Sequence, residues 1–258
     1  MKYIIIKNNG SCGICGYIWQ VLRAIYHYSG RQYYINFNEN CQYNDPAITH
    51  TENVWEYYFK QPNNNDYPSE VLIETTITDI IDVPESEFRD VFMINPTEEY
   101  IKNRRHEYNK IINENIQLLP DITEKIKNFT EKYFTGKKVL GVHFRGTDHP
   151  DKKNIFDYFQ TIKDKAAAYD VIFCASDEDH RLQALKTVFG NKVVYYNSIR
   201  SESAEPLHYS NTPKFKIGED VIIEAYLMSK TDFLFCCGNS NVNYFARAIN
   251  PELPSQAL

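Results

Sequence analysis

The chain has 258 residues, of which 43% are hydrophobic and 24% are charged, and its formal net charge is −6 at pH 7. This composition excludes a largely disordered chain, and the negative charge argues against a general nucleic-acid binder. A chain of this length can form one large core or two smaller ones, and we expect two lobes.

No segment has the length of a membrane span or the composition of a signal peptide. Residues 1–6 are mostly apolar but too few for a secretion signal, and no later run approaches the roughly 20 apolar residues that cross a bilayer. The six cysteines are therefore expected to be reduced thiols rather than a disulfide framework. We predict a soluble cytoplasmic protein.

The N-terminal part begins with a strand–helix–strand pattern. Residues 2–6 resemble a buried strand, apolar residues recur at helical spacing over 18–25, and 33–37 is strand-like. Residues 41–68 are rich in Asn, Pro and Asp and show no sustained period. We predict that they form a long irregular region, where acceptor recognition could lie.

Two helices are predicted between the lobes. Asn95 and Pro96 form a helix start ahead of a polar helix that runs towards Gln117. Pro120 ends that helix, and a second amphipathic helix closes near Gly136. We take 1–120 as the first lobe and 121–258 as the second.

From residue 139 onwards, strands and helices alternate. Strands are predicted at 139–144, 171–174, 193–196 and 233–236, and helices at about 154–168, 178–188 and 219–229 and through 244–246. This alternation indicates a parallel sheet covered by helices on both faces. Ligands of such sheets bind beyond the carboxyl ends of the strands, so the residues after each strand are the candidates for a site.

The first candidate segment follows the strand 139–144. His143 lies at the end of this strand, and Arg145 and Asp148 follow it. A guanidinium in this position suits a diphosphate, because it stays charged and can donate two parallel hydrogen bonds. The alternative is an arginine paired with a nearby carboxylate such as Asp148.

Two further candidate segments follow later strands. One is the run Asp177, Glu178 and Asp179, whose carboxylates could accept hydrogen bonds from a base or ribose or could cap the next helix. The run also matches the acid-any-acid pattern by which another class of glycosyltransferase holds a divalent metal, so a metal site is a third alternative. Residues 237–241 form a small polar turn before a helix, where Ser240 could bind an anion or cap the helix.

A rival interpretation concerns residues 10–16, which read GSCGICG. The spacing of the glycines matches neither the dinucleotide fingerprint nor a P-loop. Cys12 and Cys15 at a helix start would suit a redox dithiol, because a helix dipole stabilises a thiolate. A thiol oxidoreductase is therefore an alternative, although it leaves the strand-end residues unexplained.

Taken together, these segments resemble the α1,6-fucosyltransferase family, which includes the bacterial nodulation fucosyltransferases and the related α1,2- and protein O-fucosyltransferases. Residues 141–148, GVHFRGTD, look like the first family motif, GVHVRRTD. Residues 195–199 with 207–208 look like a second block, and 221–242 like a third. The loop at 10–16 and the helix after it resemble the N-terminal lobe of the family.

The resemblance implies an α/β fold of the GT-B type, with two Rossmann-like lobes that contain parallel sheets. It implies an N-terminal acceptor-side lobe over 1–120 and a C-terminal nucleotide-sugar-binding lobe over 121–258. The implied reaction is transfer of fucose from GDP-fucose to a glycan hydroxyl, with inversion and with neither an obligatory metal nor another cofactor.

The resemblance also assigns roles to residues. It implies that the donor contacts six side chains: His143 and Arg145 at the diphosphate, Asp177 and Glu178 at the nucleoside, Glu224 at guanine, and Ser240 at a phosphate. The family has an aspartate where this chain has Glu224. Arg145 would also stabilise the leaving diphosphate, and Asp148 is the first candidate for the catalytic base, ahead of His149 and Asp151.

Gly146 stands where the family has a second arginine. This departure leaves two alternatives open, namely transfer from a different nucleotide-sugar and a binding protein that keeps the donor pocket but does not catalyse transfer.

Overall fold

The computed structural model describes residues 3–9, 12–38, 40–62, 67–68, 71–75, 98–147, 155–203, 205–207, 212–236 and 240–258. The chain divides into two compact units, Met1–Ile122 with Ala248–Pro251 and Thr123–Arg247 with Glu252–Leu258. Each unit contains a parallel sheet, which confirms the predicted α/β class with two Rossmann-like lobes. Among the described residues, no helix is both long enough and apolar enough to cross a membrane.

The N-terminal unit is built on a three-stranded parallel sheet. In chain order its elements are β1 (Tyr3–Lys7), α1 (Ile14–His27), β2 (Gln32–Asn36), β3 (Phe59–Lys60), β4 (Val71–Thr75), α2 (Glu98–Asn115) and β5 (Gln117–Leu118). The sheet has the order β2–β1–β4, while β3 and β5 form a separate antiparallel pair. The sequence predicted β1, α1 and β2 but not β4.

The first strand and helix form as their sequences dictate. Ile4, Ile5 and Ile6 are all buried, as expected for a central strand of a parallel sheet that is covered on both faces. The N–H of Ile14, at the start of α1, donates to the hydroxyl of Tyr43 at 3.0 Å. This bond satisfies one of the backbone donors that a helix start leaves unpaired.

Part of the segment predicted to be irregular contributes to the core of this unit. Trp55, Tyr58 and Phe59 are fully buried, and a short 3-10 helix spans Val54–Tyr57. The side chain of Asn53 caps this helix by accepting the N–H of Trp55. Closely spaced aromatic side chains therefore give this segment a buried core, which its Asn-rich and Pro-rich composition did not indicate.

The C-terminal unit is built on a five-stranded parallel sheet. Its elements are α3 (Pro120–Tyr133), which begins at the boundary, β6 (Val139–Phe144), α4 (Phe159–Ala166), β7 (Val171–Ser176), α5 (Asp179–Phe189), β8 (Val193–Val194), α6 (Lys214–Ser229), β9 (Phe233–Cys236), α7 (Asn241–Ile249) and β10 (Ser255–Ala257). The strand order is β10–β9–β6–β7–β8. The predictions miss β10, end β7 two residues early and begin α6 late.

The central strand β6 is buried along its whole length. At Gly141 a Cβ atom would lie 2.8 Å from Cδ1 of Leu234 and 2.9 Å from Oγ1 of Thr231, so the close approach of these neighbours requires glycine. Large apolar side chains from the neighbouring strands and helices pack with β6. Each of these side chains stabilises the fold by about 1.5–3 kcal/mol when it is fully buried. The strand therefore has a well-defined position in the sheet.

Candidate functional site

The carboxyl ends of β6, β7 and β9 lie side by side in the C-terminal unit. His143 of β6 is in register with Ala175 of β7 and Cys236 of β9, and Phe144 is in register with Ser176. Because neighbouring parallel strands end at one edge of the sheet, the segments that follow them can act on one ligand.

Asp177 holds the loop that follows β6. Its Oδ2 lies 3.0 Å from Nη1 of Arg145 and accepts the hydroxyl of Thr147 at 3.0 Å. Its Oδ1 accepts the N–H of Gly146 at 2.9 Å. Asp177 is therefore an observed partner of Arg145, whereas the sequence suggested Asp148, which lies outside the described residues.

This geometry favours a positioning role for Asp177. Both of its carboxylate oxygens accept hydrogen bonds from the loop at 145–147, and its side chain is 12% exposed. The side chain of Arg145 is 27% exposed, so it is not fully enclosed by the loop. The sequence assigned Asp177 to the nucleoside, but its oxygens are already engaged with Arg145 and its neighbours.

Glu178 fills the space beside Gly146. Its side chain is buried, and its Oε2 accepts the Nε–H of Arg181, which is also buried. A Cβ atom on Gly146 would lie 1.6 Å from this oxygen, so the Glu178 carboxylate takes the space that any side chain at position 146 would need. Arg181 was not predicted, although it lies three residues after Glu178, which directly precedes α5, and this spacing is a usable signal.

Glu224 on α6 is a buried carboxylate with one oxygen engaged. Its Oε1 accepts the hydroxyl of Ser198 at 2.6 Å and Nη2 of Arg200 at 3.0 Å, whereas none of the described residues donates to Oε2. Burial raises the pKa of Glu224 to about 7, although Arg200 and Ser198 act in the opposite direction. The charges of Asp220 and Asp177 also contribute to this raised pKa, so Asp177 and Glu224 are within electrostatic reach of each other.

Backbone hydrogen bonds of Ser201 anchor the chain next to Arg200, which contacts Glu224. The N–H of Ser201 donates to the carbonyl of Asp177 at 2.8 Å, and the N–H of Asp179 donates to the carbonyl of Ser201 at 3.0 Å. The chain before Ser201 therefore runs beside the start of α5. Sequence reasoning missed Arg200, because no local pattern indicates that it meets Glu224.

His143 and Ser240 are both buried at strand and helix ends. His143 is 5% exposed at the end of β6. Ser240 directly precedes α7, and its hydroxyl accepts the N–H of Val242 at 3.3 Å. Ser240 is therefore a helix cap, a role that is compatible with an anion at the same helix start.

The cysteine pair near the N-terminus does not have the features of a reactive dithiol. Burial and, to a smaller extent, the charge of Cys41 raise the pKa of Cys12 to about 12. Cys15 is buried within α1. A thiol with a raised pKa stays protonated at neutral pH and is a poor nucleophile, which weakens the oxidoreductase interpretation.

The acidic run after β7 is engaged with arginines rather than grouped around a cation. Asp177 contacts Arg145 and Glu178 contacts Arg181. Within the part of the chain that the structure describes, no group of three His, Cys, Asp or Glu side chains is arranged to hold a metal ion.

No protein-family model matches the chain, and no curated protein matches it. Solved structures do match. The crystal structure of NodZ α-1,6-fucosyltransferase soaked with GDP-fucose matches this chain with a TM-score of 0.59 and 17% identity. The match covers 96% of this chain and 93% of the NodZ chain. A structure of NodZ from Bradyrhizobium gives a TM-score of 0.58, also at 17% identity, with the same coverage of both chains.

Two other fucosyltransferases show the same fold. A mutant of Arabidopsis thaliana FUT1 in complex with GDP matches 100% of this chain and 70% of that chain, with 11% identity and a TM-score of 0.57. POFUT1 in complex with GDP matches 99% of this chain and 98% of that chain, with 12% identity and a TM-score of 0.53. The chain therefore has the two-lobed fold of these fucosyltransferases, as the sequence resemblance predicted.

Proposed function

We propose that this chain is a glycosyltransferase that transfers fucose from GDP-fucose to a glycan hydroxyl, with inversion and without an obligatory metal. One observation carries the proposal. Arg145 leaves the central strand of the C-terminal unit, is oriented by Asp177, and remains partly exposed. A preorganised cation at the end of a parallel strand is suited to a diphosphate.

The diphosphate would meet a cation and a helix start. Arg145 would donate charge-assisted hydrogen bonds to the phosphate oxygens. Ser240 and the first N–H groups of α7 would contact a second anionic group, because a helix N-terminus attracts negative charge. His143, at the end of β6, would complete this side of the donor site.

The base would be recognised by Glu224. Its Oε1 is held by Ser198 and Arg200, so the orientation of the carboxylate is fixed while Oε2 can accept. Guanine offers adjacent N–H and amino donors, and Oε2 of the ionised carboxylate has two lone pairs with which to accept them. A uracil ring lacks this pair of donors, so Glu224 would select guanine over uracil.

Catalysis would depend on charge stabilisation and proton removal. Arg145 would stabilise the negative charge that develops on the leaving GDP. Asp148 remains our proposed base for the acceptor hydroxyl, and it lies three residues after Arg145. We assign the acceptor to the N-terminal unit, and Asp177 and Glu178 act by holding the donor loop and its flank.

A second candidate keeps the reaction but changes the sugar of the donor. The Glu178 carboxylate occupies the space beside Gly146, so an anionic group stands where the family has a second arginine. This difference favours a donor that carries a sugar other than fucose as the alternative. A protein that binds the donor without catalysing transfer is the further alternative.

We further propose that the reaction takes place in the cytoplasm. The described cysteines, Cys12, Cys15, Cys41, Cys174 and Cys236, are all free thiols. Unpaired cysteines are typical of a reducing compartment.

Calorimetric titration with GDP, UDP and GDP-fucose tests the proposal. GDP should bind and UDP should bind much more weakly, and GDP-fucose should release GDP in the presence of a glycan panel. Arg145→Ala should weaken GDP binding by about 30–150-fold, because charge-assisted hydrogen bonds are worth about 2–3 kcal/mol. The matched control is Arg31→Ala, which removes an exposed arginine from the N-terminal unit. Unchanged GDP affinity in Arg145→Ala would refute the assigned site.

A further inference from the structure

The N-terminal unit contains a cavity of about 700 Å3 at the end of β2. Tyr34 and Asn36 of β2 form one wall, and residues between 44 and 57 form much of the rest. Ligand pockets commonly have volumes of about 300–1,000 Å3. The end of a parallel strand is also the usual binding place in this class of sheet.

The lining of this cavity disfavours an anionic ligand. Its described lining residues include the carboxylates Asp45, Glu52 and Glu56 but no lysine, arginine or histidine. A phosphate or sulfate group would be repelled here without any cation to offset the repulsion. The cavity therefore differs in kind from a nucleotide site.

The same lining does not favour a cation strongly, because its carboxylates are either engaged or exposed. Asp45 accepts the N–H of Ala47 at 3.0 Å, and Glu52 is exposed to solvent. Glu56 is satisfied at both of its oxygens. Oε1 of Glu56 accepts the hydroxyl of Tyr34 at 3.2 Å and Nε2 of Gln61 at 2.8 Å, and its Oε2 accepts the hydroxyl of Thr51 at 2.7 Å. A desolvated cation needs carboxylate oxygens that are free to contact it. A neutral ligand can bind without any free carboxylate oxygen.

Polar and aromatic groups remain available to such a ligand. The side-chain amide of Asn36 lines the cavity and makes no hydrogen bond with the described residues. An amide offers two donors and one acceptor, which suit neighbouring hydroxyl groups. Tyr34 and Tyr57 line the same space with rings that can cover the apolar face of a sugar.

The cavity wall is fixed to the sheet before any ligand arrives. Oδ1 of Asn53 accepts the N–H of Phe37 at 2.9 Å, and its Nδ2 donates to the carbonyl of Ile35 at 2.7 Å. Gln61 bonds both the N–H and the carbonyl of Ile35, at 3.0 Å and 2.8 Å. A wall that is already ordered loses little conformational entropy on binding.

We propose that this cavity binds a neutral saccharide through the Asn36 amide and the rings of Tyr34 and Tyr57. The identification of this saccharide as the glycan acceptor rests on the proposed transferase function. The preference for a neutral, hydroxyl-rich ligand rests on the cavity alone.

Saturation-transfer NMR on the full chain tests this proposal. The probes are neutral hexose and N-acetylhexosamine oligosaccharides, the same oligosaccharides carrying sulfate, and spermidine as a cation. The variants are Asn36→Ala and Asn36→Leu, the latter keeping the branched shape of the side chain but not its polar groups. Asn128→Ala is the matched control, since Asn128 is exposed on α3. Thermal unfolding followed by circular dichroism verifies that each variant is folded.

Neutral oligosaccharides should bind the wild-type chain and Asn128→Ala equally. Both Asn36 variants should bind them about tenfold more weakly, the value for one or two lost hydrogen bonds. GDP affinity should stay unchanged in all variants. Binding of only sulfated sugars or only spermidine, binding that ignores both Asn36 variants, or no saccharide binding would each overturn the proposal. A chain that binds saccharides but not GDP would refute only the donor site.

Discussion

The carboxylates at the proposed donor site and at the N-terminal cavity have different kinds of partner. In the C-terminal unit Asp177, Glu178 and Glu224 each contact an arginine. In the N-terminal unit the donors to Glu56 that the structure describes are the neutral groups of Tyr34, Thr51, Asn53 and Gln61. At the donor site each of these carboxylates is therefore paired with a positive charge. At the cavity, Glu56 is held by hydrogen bonds from neutral groups.

This difference indicates how each region is prepared for its ligand. An arginine that is held by a carboxylate is oriented in advance and can still attract a diphosphate, because the ligand carries more than one negative charge. A carboxylate held by neutral donors keeps the cavity wall rigid without adding a cation that would attract anions. The two proposed ligands, one charged and one neutral, follow from these two arrangements.

The largest effect is expected from Gly146→Ala, which disturbs the charged region. The new Cβ would overlap Oε2 of Glu178, 1.6 Å away, and would force this carboxylate off Arg181. Overpacking costs about 1–3 kcal/mol, and loss of a buried pair adds to it, so we expect the free energy of unfolding to fall by about 3 kcal/mol. Urea denaturation measures this change.

Gly13→Ala is the control for that substitution. Its Cβ would have its nearest neighbour at 3.9 Å, the hydroxyl oxygen of Tyr43, so we expect a loss below about 1 kcal/mol. In a Glu178→Ala background, Gly146→Ala should cost much less, because the obstructing carboxylate is gone. Equal costs in both backgrounds would show that Glu178 does not fill this space.

Asp177→Asn should have a smaller effect, on ligand affinity rather than on folding. The amide keeps an acceptor for the N–H of Gly146 but removes the charge that orients Arg145. We expect GDP to bind about tenfold more weakly, because a charge-assisted bond is roughly twice as strong as a neutral one. Calorimetry checks this value.

The double variant separates positioning from direct contact. If Asp177 acts through Arg145, then Asp177→Asn should change GDP affinity little once Arg145 is already alanine. An additive loss in the double variant would instead support the nucleoside contact that the sequence resemblance assigned to Asp177.

The sequence predicted the central part of the fold better than its edges. Buried apolar runs gave β6 and β9 with their observed bounds, because a strand covered on both faces has a continuous hydrophobic signal. The exposed residues of β4 and β10 carry no such signal. In the same way, the positions of Arg145 and Asp177 after their strands were predictable, but their pairing depends on the register of β6 with β7.

The pH dependence of donor binding is the next prediction in size. Glu224 must be ionised to accept both guanine donors, and burial raises its pKa to about 7 in the free protein. Guanosine affinity should therefore be nearly full at about pH 8, half of that at about pH 7, and a further roughly fivefold lower at about pH 6. Using the nucleoside avoids the titration of phosphate groups.

Glu224→Gln is the matched variant for this experiment. The amide cannot ionise, so guanosine should bind weakly and with no step near pH 7. It also retains an oxygen that Ser198 and Arg200 can reach, which limits disturbance of the fold. A wild-type profile that is flat between pH 6 and pH 8 would argue against Glu224 as the base contact.

The smallest effect is expected in the neutral region, from Tyr34→Phe. This change removes one donor to Oε1 of Glu56, which still accepts from Gln61 at 2.8 Å, while Thr51 continues to hold Oε2. The free energy of unfolding should therefore fall by only about 0.5–1 kcal/mol. Tyr67→Phe, at a tyrosine that is 55% exposed, is the control. A loss as large as that of Gly146→Ala would mean that Glu56 depends on a single donor, and the contrast between the two regions would then disappear.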